Sequence, residues 1–251
     1  MTGEPILAGR SLIKRFGGLV ATDSATIEVF PGETCALIGP NGAGKTTLIG
    51  LLTGEITPDA GAVYLNGKDV TRLRTDERAR SGIGRSFQIT SIFPELTALQ
   101  NVCLAVQVRA GHSFSFFRPA RSFPEITDAA AELLGRVGLS ECADEEASTL
   151  SHGEHRRLEI ALTLASRPQV LLFDEPMAGL GPDESRQMVA LLAGLKGQYS
   201  VLLIEHDMDA VFALADRISV LVYGRVLASG SPSDIRGNPE VRAAYLGDGE
   251  E

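Results

Sequence analysis

A run of eight residues, Gly39-Pro40-Asn41-Gly42-Ala43-Gly44-Lys45-Thr46, has the spacing G-x-x-x-x-G-K-[ST]. Each residue type in it answers a need of phosphate binding. Glycines let successive backbone N–H groups turn inward as an anion-binding nest, and a helix beginning there adds positive potential. A lysine at position 45 reaches β- and γ-phosphates, and the Thr46 hydroxyl is a ligand for Mg²⁺. The bland alternative is a glycine-rich turn that merely starts a helix. The buried strand TCALI before the loop and the helical pattern KTTLIGLL after it supply the context that phosphate binding requires.

A second group is acidic. Val170-Leu171-Leu172-Phe173-Asp174-Glu175 reads as an apolar strand ending in two carboxylates, and charges fit there only at the strand's C-terminal edge, where open α/β sheets bind ligands. Asp174 then supports a Mg²⁺ shell, and Glu175 orients or deprotonates an attacking water. Its bland reading is an acidic turn stopped by Pro176. The strand VLLIEHD ends in Glu205-His206-Asp207 at the same kind of edge, which makes His206 a candidate for holding the water and carboxylate in place. A lone histidine there is more often a helix-start residue. Leu150-Ser151-His152-Gly153-Glu154 precedes a periodic helix with Leu158, Ala161, Leu162 and Ala165 on one stripe. Ser151 and Glu154 form a capping box, and the same hydroxyl and helix start can also bind phosphate.

The elements that must position these residues follow the same logic. Short strands are expected over 6–13, 26–30, 34–38 and 61–67, with a helix over 45–52 that Gly54 and Pro58 end. Apolar strands at 170–173, 201–204 and 218–222 alternate with helical patterns at 183–195 and 208–215. That alternation indicates a mostly parallel sheet covered on both faces. Residues 225–228 return as a hairpin, and PEVRAAYLG closes the chain as a helical tail. Residues 89–150 break the alternation, with helix-like stretches at 99–109 and 125–137 and no strand, so they read as a helical lobe inserted into an α/β core.

Composition bounds the partners. The chain has 251 residues and a formal net charge of −9, which argues against a general nucleic-acid binder. Three scattered cysteines, Cys35, Cys103 and Cys142, without a CxxC pair argue against a disulfide framework or zinc site and fit a reducing cytoplasm. The polar, Gly/Pro-broken start is not a signal peptide, and no stretch approaches the roughly 20 apolar residues that span a bilayer. Work at a membrane would need another chain to provide the span.

In this order the residues resemble the ATP-binding cassette (ABC) ATPases over essentially the whole chain. GPNGAGKTT is the phosphate loop, SFQ supplies Gln88, LSHGE stands where the family has its LSGGQ-type signature, VLLFDEP carries both acids, and His206 matches the switch histidine. The resemblance implies a P-loop NTPase of the α/β class with a RecA-like core (1–88 and 151–251), an antiparallel β subdomain and a helical subdomain over about 89–150. It implies ATP and Mg²⁺ as ligands. Phe16 would stack on adenine, and Asn41, Gly42, Ala43, Gly44, Lys45, Thr46 and Thr47 would hold the nucleotide. Thr46, Gln88 and Asp174 would hold the metal, and Glu175, His206 and Gln88 would serve hydrolysis. Two cassettes, identical or not, would sandwich two ATPs, with Ser151 and Gly153 touching the γ-phosphate on the opposite subunit. Two transmembrane permease subunits and, indirectly, a solute-binding protein complete the expected assembly, with the cassette on the cytoplasmic face of the membrane.

Within the family, KRFGGLVA, GIGRSFQ…FPELTALQNV, RRLEIA and the terminal AYLG resemble the ATPase subunits of branched-chain amino acid importers. The aromatic run SFSFFRPARSF falls at a variable insertion of that group. Two departures stand out: His152 and Glu154 occupy variable signature positions, and Gly181 replaces the aspartate of the D-loop in Ala178-Gly179-Leu180-Gly181. The competing readings are a lipid or lipopolysaccharide exporter ATPase and a soluble ABC protein acting on ribosomes or DNA.

Overall fold

The computed structural model describes residues 3–86, 92–109 and 124–246, so Gln88 and the run SFSFFRPARSF lie outside the described residues. The chain divides into two compact units. One comprises Met1–Ile83, Gln169–Glu175 and Leu192–Glu251, the other Gly84–Pro168 and Pro176–Leu191.

The first unit is organised around five-residue apolar strands. β3 (Thr34–Ile38), β7 (Val170–Asp174) and β8 (Ser200–Ile204) are buried at every position, as strands covered on both faces must be. With β9 (Arg217–Val222), β10 (Arg225–Gly230) and the short edge strand β6 (Ile83–Arg85) they form a six-stranded sheet in the order β10-β9-β3-β8-β7-β6. β3, β7, β8 and β9 run parallel, and β10 returns antiparallel through Tyr223-Gly224. Register fixes the functional edge: Leu37 pairs with Ile204, and Ile204 pairs with Asp174. The three strands therefore end at one level.

A second sheet, antiparallel, has the order β2-β1-β4-β5 from β1 (Leu7–Phe16), β2 (Leu19–Val29), β4 (Ala60–Leu65) and β5 (Lys68–Asp69). Helix α1 (Lys45–Thr53) buries Leu48, Ile49, Leu51 and Leu52 in a single core with Leu7, Leu12 and Val63 of this sheet and Leu37, Leu172 and Leu202 of the other. A helix with apolar contacts to both sheets has no polar face to spare, which is why KTTLIGLL lacks an amphipathic stripe. Its far end is tied by Arg78 on α2 (Thr75–Ser81). This guanidinium is buried and donates to the carbonyls of Leu51 (2.7 Å) and Leu52 (2.8 Å) at the end of α1, and to those of Thr71 and Leu73. A cation on the last carbonyls also suits the negative end of the helix dipole. At the start of β3, Glu33 and Arg217 form a two-point ion pair, and Arg217 also donates to the Glu28 carbonyl.

In the second unit, α3 (Ala98–Arg109), α4 (Pro124–Arg136) and α5 (His152–Ala165) pack on one another. Buried Asn101 secures the entry to α3: its amide donates to the carbonyls of Phe93, Leu96 and Thr97, and its oxygen accepts the Phe93 N–H.

Most expected elements appear within a residue or two. β1 and β2 run longer than the expected 6–13 and 26–30 because they form a continuous hairpin, with Phe16 opposite Leu19. Of the expected stripe on α5, Leu158, Ala161 and Ala165 are buried and Leu162 is half-buried; Ile160 and Leu164 are buried as well, because the helix packs against both α3 and α4. The expected helical tail forms over 239–246, and a further short helix precedes it. These are α8 (Pro232–Gly237), then α9 (Pro239–Val241) with a last turn over Arg242–Leu246, because Ser231 and Asn238 each cap a new helix before a proline. The chain passes from the second unit to the first within α6 (Pro182–Leu195), which precedes β8.

Replacing Arg78 by Met keeps the bulk but strands four carbonyls. Urea unfolding is expected to show a loss of about 3 kcal/mol or more. A loss under about 0.5 kcal/mol would mean that the guanidinium does not secure the end of α1.

Candidate nucleotide-binding site

The loop between β3 and α1 leaves the helix start without a side-chain partner. Gly44 is the N-cap in the left-handed region (φ 103°), makes no side-chain cap, and no acidic residue follows in the first turn. Gly44 is required by contact as well as by φ, since a Cβ there would lie 2.2 Å from the Ala21 carbonyl oxygen. The Ala43 N–H donates to the Pro40 carbonyl (3.1 Å), and the Ala43 carbonyl accepts from Gly224 N–H (2.9 Å). Gly224 in turn accepts from Asp23 N–H (2.8 Å), and Arg225 grips the Asp23 carboxylate from Nε and Nη2. Asn41, Gly42 and Thr46 are exposed, Thr47 is half-buried and Ala43 is buried. Lys45 folds back along the loop, its Nζ donating to the carbonyls of Gly39 (2.6 Å) and Pro40 (3.0 Å). Burial lowers its pKa, against the opposing pull of Glu175 and then Asp174.

Those two acids sit at the end of β7. Asp174 is buried in register with Ile204, and Glu175 leaves the strand with φ +51°, its N–H donating to the Ile204 carbonyl (2.9 Å). A left-handed glutamate is a strained residue whose side chain is aimed by the turn. His206 Nδ1 lies 4.0 Å from the Glu175 carboxylate and 3.8 Å from that of buried Glu205. His206 itself is exposed, and its N–H donates to Glu205 (3.1 Å). The helix-start reading also holds, one residue on: Asp207 caps α7 (Met208–Leu214) by accepting from Asp209 and Ala210 N–H.

Phe16 closes β1 with its ring half-exposed and Lys14 Nζ 5.6 Å from the ring centroid. It pairs with Leu19, two residues before the Ala21 carbonyl that Gly44 approaches.

Ser151 and Gly153 belong to the second unit. Ser151 caps α5: its hydroxyl accepts Glu154 N–H, and Glu154 accepts Ser151 N–H (2.8 Å), which lowers the Glu154 pKa. Ser151 is exposed and Gly153 buried. The structure thus brings Lys45, Asp174, Glu175 and His206 together at one sheet edge. Gln88 lies outside the described residues. Sequence reasoning missed the braces Ala21, Asp23, Gly224 and Arg225, whose only signal was the turn Tyr223-Gly224 before a strand.

Among the described residues no group of three or more His, Cys, Asp or Glu could by itself hold a metal ion. The donor set nevertheless fits Mg²⁺, which takes one or two protein oxygens and completes its shell with phosphates and water. A hydroxyl at the start of α1 and a carboxylate at the end of β7 are such oxygens, and the Asp174 and Glu175 charges act on the neighbouring Lys45.

The family model described as ABC transporter matches residues 22–178, and the model described as branched-chain amino acid ATP-binding cassette transporter matches residues 225–251. The chain is 42% identical to the high-affinity branched-chain amino acid transport ATP-binding protein LivG of Escherichia coli K12, over 98% of this chain and 99% of that one. The ADP conformation of a cassette from an ABC transporter superposes with a TM-score of 0.85 at 29% identity, covering 98% of this chain and 100% of that one. A dimeric cassette in a post-hydrolysis state, bound to ADP and Pi, superposes at 0.75 and 26% identity, covering 90% and 98%.

The strain at Glu175 is open to measurement. Glu175→Gly is expected to raise unfolding stability by about 1 kcal/mol, because glycine adopts φ +51° freely, although the carboxylate is lost. A clear loss of stability would show that contacts of the Glu175 side chain outweigh its backbone cost.

Proposed function

The chain belongs to the ABC transporter family of ATP-binding cassettes, and we propose that the sheet-edge cluster described above is where it hydrolyses ATP to drive an importer. It is the ATPase subunit of an ABC importer for branched-chain amino acids or a related small solute. The observation that carries the site reading is the convergence of an uncapped helix start, Lys45 and the Asp174–Glu175 pair at one level of the sheet.

Each described residue has a role that its position supports, and Gln88 takes its role from the family resemblance alone. The loop amides from Asn41 to Thr47 and the Lys45 ammonium bind the β- and γ-phosphates, with charge-assisted bonds stronger than neutral ones. Phe16 offers a ring face to adenine. Thr46 and Asp174, with Gln88, would hold Mg²⁺, whose contribution is to neutralise phosphate charge. Glu175 takes the proton of the attacking water, and His206, 4.0 Å away, orients that carboxylate and the water. Ser151 and Gly153 complete the site of a partner cassette, identical or not, from the start of α5. The helical subdomain expected over about residues 89–150 falls within the second unit, which also includes α5, and both units serve one working cassette. No helix among the described residues is long and apolar enough to cross a membrane. In this reading the span comes from permease subunits, supplied by a solute-binding protein, with the cassette peripheral on the inner face of the membrane.

Glu175→Gln keeps the side chain's shape and removes its basicity. Turnover measured as phosphate release is expected to fall at least about 100-fold with ATP affinity retained, the loss expected of a general base. Hydrolysis at the normal rate would remove Glu175 from the chemistry. Lys45→Ala should instead abolish nucleotide binding, and unchanged affinity by titration calorimetry would count against the loop assignment.

A further inference from the structure

We propose that His152 is a positioning residue for ATP hydrolysis: with Glu184 it locks the turn that starts α5 and the loop that starts α6 into one surface. The inference rests on the reading above, in which Ser151 and Gly153 face the phosphate held by a partner cassette.

Both segments lie in the second unit and touch reciprocally. From α5, His152 Nε2 sits 3.3 Å from the Ala178 carbonyl oxygen. A carbonyl only accepts, so Nε2 carries the hydrogen and the ring is fixed as a donor towards the loop. From α6, the Glu184 carboxylate accepts the Gly181 N–H at 3.1 Å, and its other oxygen lies 2.6 Å from where a Cβ on residue 153 would stand. The missing side chain of Gly153 is what gives that carboxylate its seat. The loop also bends round the imidazole: Gly179 is left-handed (φ +78°), and a Cβ there would be 3.1 Å from His152 Nε2.

The loop needs such a tether. Ala178-Gly179-Leu180-Gly181 contains two glycines, which lose the most conformational entropy on ordering, and its own backbone contributes the Leu180 N–H to Met177 carbonyl bond. A bond to the residue next to Ser151 makes the position of the loop and the aim of the Ser151 turn a single variable. Groups that serve a reacting phosphate must hold their place to about half an ångström. Loss of the tether therefore appears in turnover and leaves nucleotide capture, which uses the first unit, intact.

The test compares the full chain with His152→Leu, which fills the space without a donor, and His152→Gln, whose amide nitrogen reaches the same point as Nε2. Saturated ATP turnover, ATP affinity and thermal midpoint are measured for all three. Leucine is expected to slow turnover about five-fold, the factor for one lost hydrogen bond, with affinity unchanged and the midpoint lowered by no more than about 4 °C, and glutamine to restore turnover to within about two-fold of wild type. Wild-type turnover in the leucine variant, or equal slowing in both variants, would overturn the proposal. So would slowing in the leucine variant that a fall in thermal midpoint well beyond about 4 °C accompanies, the mark of a disrupted fold. A wild-type chain that hydrolyses no ATP would defeat the function reading itself, and this inference with it.

Discussion

The N-terminus of α1 has no side-chain cap, and the first unit holds the loop before it from several sides. Other helices in the chain close their own starts: Ser151 caps α5, Asp207 caps α7, Ser231 caps α8 and Asn238 caps α9. α1 has Gly44 and no first-turn acid. N–H groups without a side-chain cap at the positive end of a helix attract an anion, and leaving a helix start uncapped costs stability that the core of the unit must offset.

That offset is visible at the other end of the same helix. Arg78 ties the last carbonyls of α1, and Leu48, Ile49, Leu51 and Leu52 bind it into the core between the two sheets. The loop is then held from outside by backbone bonds from Gly224 and by the close approach of Ala21, with the Asp23–Arg225 pair behind them. A rigid loop beside a helix start is a preorganised anion site. The parallel register of β3, β8 and β7 brings two carboxylates to the same level, so positive and negative groups face a common space. One more local cost, the left-handed backbone of Glu175, lies at the residue assigned to the chemistry.

Much of this was legible in the residues. The strands TCALI, VLLFD and VLLI are continuous apolar runs bounded by turns, and their C-terminal acids and glycines announce the functional edge. Ser151 and Glu154 form the capping box that their spacing predicts. What stayed hidden depends on pairing over long sequence separation. Nothing local marks Arg78 as buried, because its partners are carbonyls up to 27 residues away. Asp23 and Arg225 meet across 202 residues, and their meaning comes only from the loop they brace. Likewise His152 looked like a variable position in a motif, and its contact with Ala178 exists only once α5 and the α6 loop are side by side. The edge strand β6 and the short β5 gave too few residues to form a pattern.

The central claim is that backbone amides and one lysine hold the nucleotide by its phosphates. Titration calorimetry of the purified chain with ATP, ADP and AMP in Mg²⁺ tests it most directly. ATP and ADP should bind at least about 100-fold more tightly than AMP, which lacks the phosphates that the loop and Lys45 grip. Equal affinity for AMP and ATP would place the binding energy in the base and sugar, and would contradict the account.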